Sequence, residues 1–340
     1  MEPALARNAS RIYLDHAATT PMRPEAIAAV SDGMTRWANP SSPHAEGRAA
    51  RAALEDARRR IAAALDWPHH VILTSGASEA IALAFRGRGD MAMLAVEHDA
   101  VLRAGQGALI PVGSDGLAAA LPPGFVAIQS ANSETGVLQE VAHAGLRDCS
   151  QTAGKLPLPD ADLIVVSAHK LGGPPGIGAL LVRDLGLLDP TGGQERGYRG
   201  GTENLPGALG FAAALEAPRD WFDTMPALRA ELDAVVVEHG GEIVARGSLR
   251  IPTIAAYRMP GVSSAAQLIR FDMAGFAVSA GSACSSGSMR PSHVLAAMGY
   301  PPEAAAEIVR VSFGWTTTAD DVARFAEAWT RVARDVRRAA

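Results

Sequence analysis

Leu163-Ile164-Val165-Val166-Ser167-Ala168-His169-Lys170, followed closely by Gly172-Gly173-Pro174-Pro175-Gly176-Ile177-Gly178, is the stretch on which the reading of the fold turns. An unbroken apolar run rich in β-branched residues describes a buried strand, and the Gly- and Pro-rich segment after it reads as a loop. Lys170 therefore stands at the mouth of a buried strand, where α/β sheets hold their ligands. A partly desolvated lysine has a lowered proton affinity and can condense with a carbonyl group. Taken alone, the same four residues also describe an ordinary solvated loop lysine. Other features have to agree before the sharper reading holds.

Outward from this stretch, short runs rich in Val, Ile and Leu at 71–74, 91–96, 125–130 and 177–183 alternate with helical stretches at 46–65 and 205–217. That alternation predicts βα units and a mostly parallel sheet. Beyond Pro218 the pattern repeats on a smaller scale, with a helix near 228–239, strands near 251–258, 277–279 and 308–313, and a last helix over 320–338 capped by Thr317 or Thr318. The expected organisation is an N-terminal segment (1–20) joining a small domain, a large domain (21–217), and a small α/β domain (218–340).

The 340 residues carry 31 Lys+Arg against 36 Asp+Glu, a formal charge of −5, which gives no electrostatic case for nucleic acid or an anionic membrane. No stretch is apolar over the length of a membrane span, and the first residues lack the apolar core of a signal peptide. The two cysteines, Cys149 and Cys284, suit a reducing compartment. The expectation is a cytoplasmic protein.

Ser75-Gly76-Ala77-Ser78-Glu79 follows one strand and opens a helix expected from Ala80, so backbone N–H groups and a helix dipole converge where a phosphate fits. A plain βα turn is the competing reading. Neither a Gly-x-Gly-x-x-Gly fingerprint nor a Walker Gly-Lys-Ser/Thr is present, which weakens dinucleotide and nucleotide readings. His98 ends another strand and suits stacking on an aromatic ring and moving protons. Asp148, near Gln151, suits pairing with a ring nitrogen, which keeps such a ring an electron sink. Singly, these are more often structural residues. Ala280-Gly281-Ser282-Ala283-Cys284-Ser285-Ser286-Gly287-Ser288 reads as a mobile polar loop presenting a reachable thiol, whereas Cys149 reads as packing.

Together these residues resemble the pyridoxal-phosphate-dependent cysteine desulfurases of the NifS/IscS type, within the class V aminotransferase superfamily. The resemblance runs from Ile12-Tyr13-Leu14-Asp15-His16-Ala17-Ala18-Thr19-Thr20-Pro21 to Arg310-Val311-Ser312-Phe313-Gly314. It passes in register through Asn39-Pro40-Ser41-Ser42, Glu97-His98, Asn132-Ser133-Glu134, Gly154-Lys155-Leu156-Pro157 and Arg199-Gly200-Gly201-Thr202. It implies fold type I of the pyridoxal enzymes, α/β, with a mostly parallel seven-stranded-type sheet in the large domain and a smaller C-terminal α/β domain. It also implies pyridoxal 5'-phosphate as cofactor, L-cysteine as substrate, a homodimer, and a protein sulfur acceptor, an iron–sulfur scaffold or sulfur-transfer protein. Residue by residue, Lys170 would carry the cofactor, His98 would stack on it and shuttle protons, Asp148 would pair with the ring nitrogen, and Gln151 would approach the ring hydroxyl. Ala77, Ser78, Ser167 and His169 would hold the phosphate, with Thr202 reaching it from the partner subunit. Asn39 and Arg310 would grip the substrate carboxylate, and Cys284 would be the nucleophile.

Three departures stand out. Ser133 replaces an amide that relatives commonly place near the ring. The segment 139–148 looks too short for the helix and strand that relatives carry there, and the chain ends soon after its last helix, without the longer tail of IscS-type relatives. Two rival readings follow: another pyridoxal reaction on the same fold, such as a small-amino-acid aminotransferase, a lyase or a selenocysteine lyase, and a non-catalytic scaffold. The Ser-Ala-Cys-Ser setting of Cys284 speaks against plain transamination, and the joint presence of Lys170, His98 and Cys284 against the scaffold.

Overall fold

The computed structural model describes residues 11–283 and 289–339. Strand β1 (Ile12–Tyr13) leads through a turn to helices α1 (Pro24–Thr35) and α2 (Ala45–Ala64). Then come β2 (His70–Thr74), α3 (Ala77–Phe85), β3 (Ala92–Leu94), α4 (Asp99–Ala104), β4 (Ala108–Ile110), β5 (Val126–Gln129), β6 (Ala144–Asp148), β7 (Ala161–Ser167), β8 (Gly178–Val182) and α5 (Leu205–Glu216). Strands β2 to β8 form one seven-stranded sheet in the order β2-β8-β7-β6-β5-β3-β4. All are parallel except β8, which runs against both neighbours. The mostly parallel seven-stranded α/β sheet expected from the sequence is what forms.

The sheet is buried on both faces, and the apolar run in β7 shows how. Ile164 and Val166 join α2 and α5 in one core, while Leu163 and Val165 join α3 and α4 in the other. Because successive side chains of a strand point to opposite faces, a strand covered on both sides must be apolar at every position. Gly178 begins β8 where a Cβ would lie 2.8 Å from the Cα of Gly76, so the two glycines let the lysine-bearing hairpin approach the turn before α3.

The second half contains α6 (Trp221–Glu238), β9 (Glu242–Ile243), β10 (Ile254–Arg258), α7 (Ser264–Met273), β11 (Phe276–Ala277), β12 (Ser282–Ala283), β13 (Met289–Arg290), α8 (His293–Ala297), α9 (Pro302–Ala305), β14 (Ile308–Ser312) and α10 (Ala319–Ala339). Its antiparallel sheet β14-β10-β9 packs with α6, α7 and α10 around Tyr257, Phe271, Phe325 and Trp329. Ile12 and Leu14 enter the same core, and β1 pairs with β11. The chain then crosses back at residues 15–20 to pass beneath Lys170, where the Thr20 N–H donates to the His169 carbonyl.

Several expectations need correcting. Helix α3 begins at Ala77, three residues before the expected Ala80. Helix α6 starts well before 228 and continues through Pro226, its sixth residue, at the cost of one i→i−4 bond, to the Phe222 carbonyl. Most informative is the segment 139–148, which lacks room for both a helix and a strand, as expected, and keeps the strand. Ala144–Asp148 forms β6 in full, and among the described residues no helix lies between β5 and β6.

Candidate active site

Three neighbouring strands end at the same edge. Gln129 closes β5, Asp148 closes β6 and Ser167 closes β7, with Gln129 opposite Asp148 and Asp148 opposite Val165 in the ladders. Above this edge lies a cleft of about 390 Å3. Of the residues expected in a site, Ala77, Ser78, His98, Ser133, Asp148, Gln151, Ser167, His169 and Lys170 all line it.

Lys170 closes a single 3-10 turn after β7, and Gly172 follows in the left-handed region at φ 91°. Its Nζ donates to the Ala17 carbonyl. Burial, and next the Arg310 guanidinium, lower its pKa from 10.5 to about 8, against the pull of Asp148 and Asp15. The same Ala17 carbonyl accepts from Gln151 Nε2 at 3.0 Å, and Thr20 Oγ1 donates to the Lys170 carbonyl at 3.3 Å. His169 Nδ1 lies 3.1 Å from Thr19 Oγ1, and its pKa falls to about 4 through burial and the Lys170 cation. The His16–Thr20 crossing is thus the floor of the lysine turn.

His98 N-caps α4, its Nδ1 accepting from the Ala100 N–H at 3.1 Å, which leaves Nε2 as the protonated nitrogen of the neutral ring. Burial lowers its pKa, Asp148 opposes this, and Lys170 adds to it. The residue before it is anchored twice: Glu97 Oε1 accepts from the Gln129 N–H at 2.7 Å, and the Glu97 carbonyl lies 2.8 Å from His293 Nε2. Asp148 Oδ1 accepts from the Ser150 N–H at 2.9 Å.

Helix α3 starts at Gly76 with no side-chain cap, so its leading N–H groups face the cleft unclaimed by a capping side chain. Glu79 braces this turn, accepting from the Ser75 N–H and from Arg199 Nε at 3.0 Å. Arg199 leads into the Gly200-Gly201-Thr202 loop, and the turn before Arg199 is fixed by the buried pair of Arg58 with Glu195, at 2.6 and 3.0 Å.

Three expected residues do not line the cleft. Thr202 is exposed on its loop. Asn39 is exposed between α1 and α2, and its Oδ1 accepts from the Ser41 N–H at 2.8 Å. Arg310, on β14, reaches the edge of the site through Ser133, whose carbonyl accepts from Nη1 at 2.9 Å, while Nη2 donates to Asp15 Oδ1 at 2.7 Å. Among the described residues its Nε is buried without a partner. Cys284 lies outside the described residues; the flanking β12 and β13 pair antiparallel. Cys149 is fully buried against Ser130 Oγ, and burial raises its thiol pKa to about 11, in keeping with packing.

Sequence reasoning assigned no role to Lys155, Asp15 or the Ala17 carbonyl. For Lys155 a signal was available. Among 31 basic residues only Lys155 and Lys170 are lysines, and the structure places them side by side, with Lys155 Nζ 3.4 Å from the Lys170 carbonyl.

Comparison with known proteins places this geometry. The aminotransferase class-V family model matches residues 12–107 and 122–325. A cysteine desulfurase of Gluconacetobacter diazotrophicus is 37% identical over 361 residues, covering 92% of this chain and 90% of that protein. The crystal structure of a NifS-like protein from Rickettsia africae superposes with a TM-score of 0.85 at 29% identity, over 96% of this chain and 99% of that one. A structure described as SspA in complex with cysteine superposes with a TM-score of 0.76 at 28% identity, over 88% of this chain and 98% of that one. The chain belongs to the class V aminotransferase family and, within it, to the cysteine desulfurases of the NifS/IscS type.

Proposed function

We infer that this protein converts L-cysteine to L-alanine and carries the released sulfur as a persulfide on Cys284. The observation that carries the reading is the convergence of Lys170, Asp148 and His98 on one cleft beside an uncapped helix start, in a chain of this family. The residues present fit pyridoxal 5'-phosphate. A cationic lysine with lowered proton affinity, an aspartate, an imidazole and free helix N–H groups match an aldehyde, a ring nitrogen, a ring face and a phosphate in turn, and Gln151 Oε1 is a buried acceptor without a partner. Bound there, the cofactor supplies an electron sink for loss of the substrate's Cα proton.

The chain's own residues would divide the work as follows. Lys170 holds the cofactor covalently and takes the Cα proton; a pKa near 8 leaves an appreciable fraction of it neutral at physiological pH. Asp148 would keep the ring nitrogen protonated, Gln151 and Ser133 would offer polar groups to the ring, and His98 would stack on it and move protons. Ala77, Ser78, Ser167 and His169 hold the phosphate, and Arg310 takes the substrate carboxylate with a charge-assisted fork. Cys284 would attack the substrate sulfur: an S–S bond forms, the C–S bond breaks with its electron pair left on Cβ, and one proton is delivered to Cβ and one back to Cα to give alanine.

Exposure of Thr202 and Asn39, together with Trp37 at 79% and Met34 at 70%, supports a homodimer in which Thr202 and Asn39 complete the partner's site. The cores on the two faces of the large sheet and the core around Trp329 support the division into 1–20, 21–217 and 218–340, with a further core, including Ile128 and Leu295, joining the last two. No helix among the described residues is long and apolar enough to cross a membrane, which fits the cytoplasmic reading without testing it. A protein of the iron–sulfur assembly machinery is the proposed sulfur acceptor. The test is to incubate the loaded enzyme with L-cysteine and a reductant. Alanine and sulfide released in equal amounts support the reading, and pyruvate with ammonia in place of alanine would replace it with a lyase.

A further inference from the structure

Lys155 belongs to a motif, Gly154-Lys155-Leu156-Pro157, to which the chemistry above gives no task. Its Nζ donates to the Gln151 carbonyl at 2.9 Å and to the Lys170 carbonyl at 3.4 Å. These two carbonyls belong to the two segments whose relative placement matters most: the end of β6 with the loop after it, which carry Asp148 and Gln151, and the turn that carries Lys170. No backbone ladder joins them at this point, because β6 ends at Asp148 and β7 at Ser167.

We propose that Lys155 is a positioning residue, an amine strut that locks the Lys170 turn onto the Asp148–Gln151 segment, and that lysine is required there. The inference rests on Lys170 being the residue that carries the cofactor. Two observations set lysine apart from arginine. The void beneath the turn, lined by Thr20, Lys155, Lys170 and Trp315 among others, measures about 20 Å3, room for one water and not for a guanidinium fork. The chain uses arginine at every other basic position, so its bias toward arginine has stopped at the two sites that touch.

The electrostatics agree with the geometry. Burial, and then the Lys170 cation, lower the Lys155 pKa from 10.5 to about 7. His16 faces it from the crossing segment, Arg23 and Arg219 share the inner void, and Asp66, Asp220 and Asp223 share its outer cleft. An amine in this setting sheds its proton and still donates hydrogen bonds. Arginine would place a permanent charge beside Lys170.

The wild-type holoenzyme gives the first test. With lysine labelled at Cε by carbon-13, the protein has only two lysine signals to assign. The Lys155 signal should reach its neutral position by about pH 8. A Lys155 that titrates near 10.5, as a solvated amine does, overturns the proposal. Two variants give the second. Lys155→Met, which removes the donors, should lose cofactor on dilution and fall in kcat by roughly 10-fold with KM nearly unchanged, as expected when two hydrogen bonds that orient a reacting group are deleted. Lys155→Arg should lower the pH midpoint of the cofactor's absorbance change by about half a unit or more, because a fixed charge opposes protonation nearby. Wild-type cofactor retention in Lys155→Met, or an unmoved midpoint in a folded Lys155→Arg, overturns it. Mapping the borohydride-reduced adduct in each sample keeps this question separate from the first. An adduct away from Lys170 defeats the functional reading, whereas an adduct on Lys170 leaves the strut to be judged on its own.

Discussion

The site is assembled from two unlike parts. The ring side is one sheet edge, where Gln129, Asp148 and Ser167 end adjacent strands and share a frame set by continuous backbone ladders. The proposed carboxylate side depends on Arg310, which comes from a different sheet and meets the first part through Asp15 and the Ser133 carbonyl. Asp15 lies 295 positions away in sequence, and among the described residues the Arg310 Nε is left buried without a partner. One part holds its geometry by secondary structure, the other by a few side-chain contacts. Changes on the ring side should therefore abolish chemistry outright, while changes around Arg310 should grade affinity.

The largest expected effect is that of Lys170→Ala. It should remove the covalent cofactor and turnover together while leaving the fold intact, since the strand beneath is held by its own ladder; absorbance, borohydride mapping and an alanine assay check this. Cys284→Ser should come next. Colour and cysteine binding should persist while persulfide disappears, because a hydroxyl is a far weaker nucleophile at neutral pH, and alanine release at the wild-type rate would dissociate the thiol from the reaction. Arg310→Gln should raise KM for cysteine by roughly 10- to 100-fold, the range expected for a lost charge-assisted hydrogen bond of about 1.5–3 kcal/mol. Unchanged colour in that variant would confirm that the two parts are separable.

A smaller effect concerns pH. A pKa near 8 in place of 10.5 means that Lys170 becomes neutral as pH rises through 8, so cofactor uptake by the stripped protein should climb to a plateau just above that value. A climb continuing toward pH 10 would mean that the lysine is solvated. The sign for stability follows from linkage. Between about 8 and 10.5 the unfolded chain binds more protons at this group than the folded one, so its contribution makes the stripped protein more stable as pH rises through that window. Smallest is Thr318→Ala, remote from both parts. Thr318 Oγ1 accepts from the Asp321 N–H at 3.2 Å at the start of α10, and losing the cap should cost about 1 kcal/mol in a denaturant titration without touching kinetics.

How much of this could be read from the sequence depended on whether burial left an apolar signature. The runs in β2, β7 and β8 are apolar because both faces of the sheet are covered, and they were legible. Strand β6 was not recognised. Its Ala-Gly-Leu-Arg-Asp carries a buried arginine, Arg147, whose Nη2 donates to the Gln139 carbonyl, and such a residue reads as surface until its partner is known. Strand β4 is three residues on an open edge, with Ala108 and Leu109 exposed, and has little pattern to read. In the site, Lys170 and His98 were legible as strand ends, whereas Asp148 was legible only beside Gln151 and through the resemblance. Asp15 was not, because nothing local announces a partner on β14. Lys155 was legible by counting and went unread.

The pairing of the only two lysines has a chemical corollary beyond geometry. Free aldehydes condense with amines wherever they find them, and a protein with many surface lysines captures them at random. In these 340 residues no other side chain offers an amine, because guanidinium groups stay protonated and do not compete. An aldehyde cofactor arriving at this surface meets a sheath of arginine and is passed on, and the first side-chain amine able to keep it is the one at the mouth of β7.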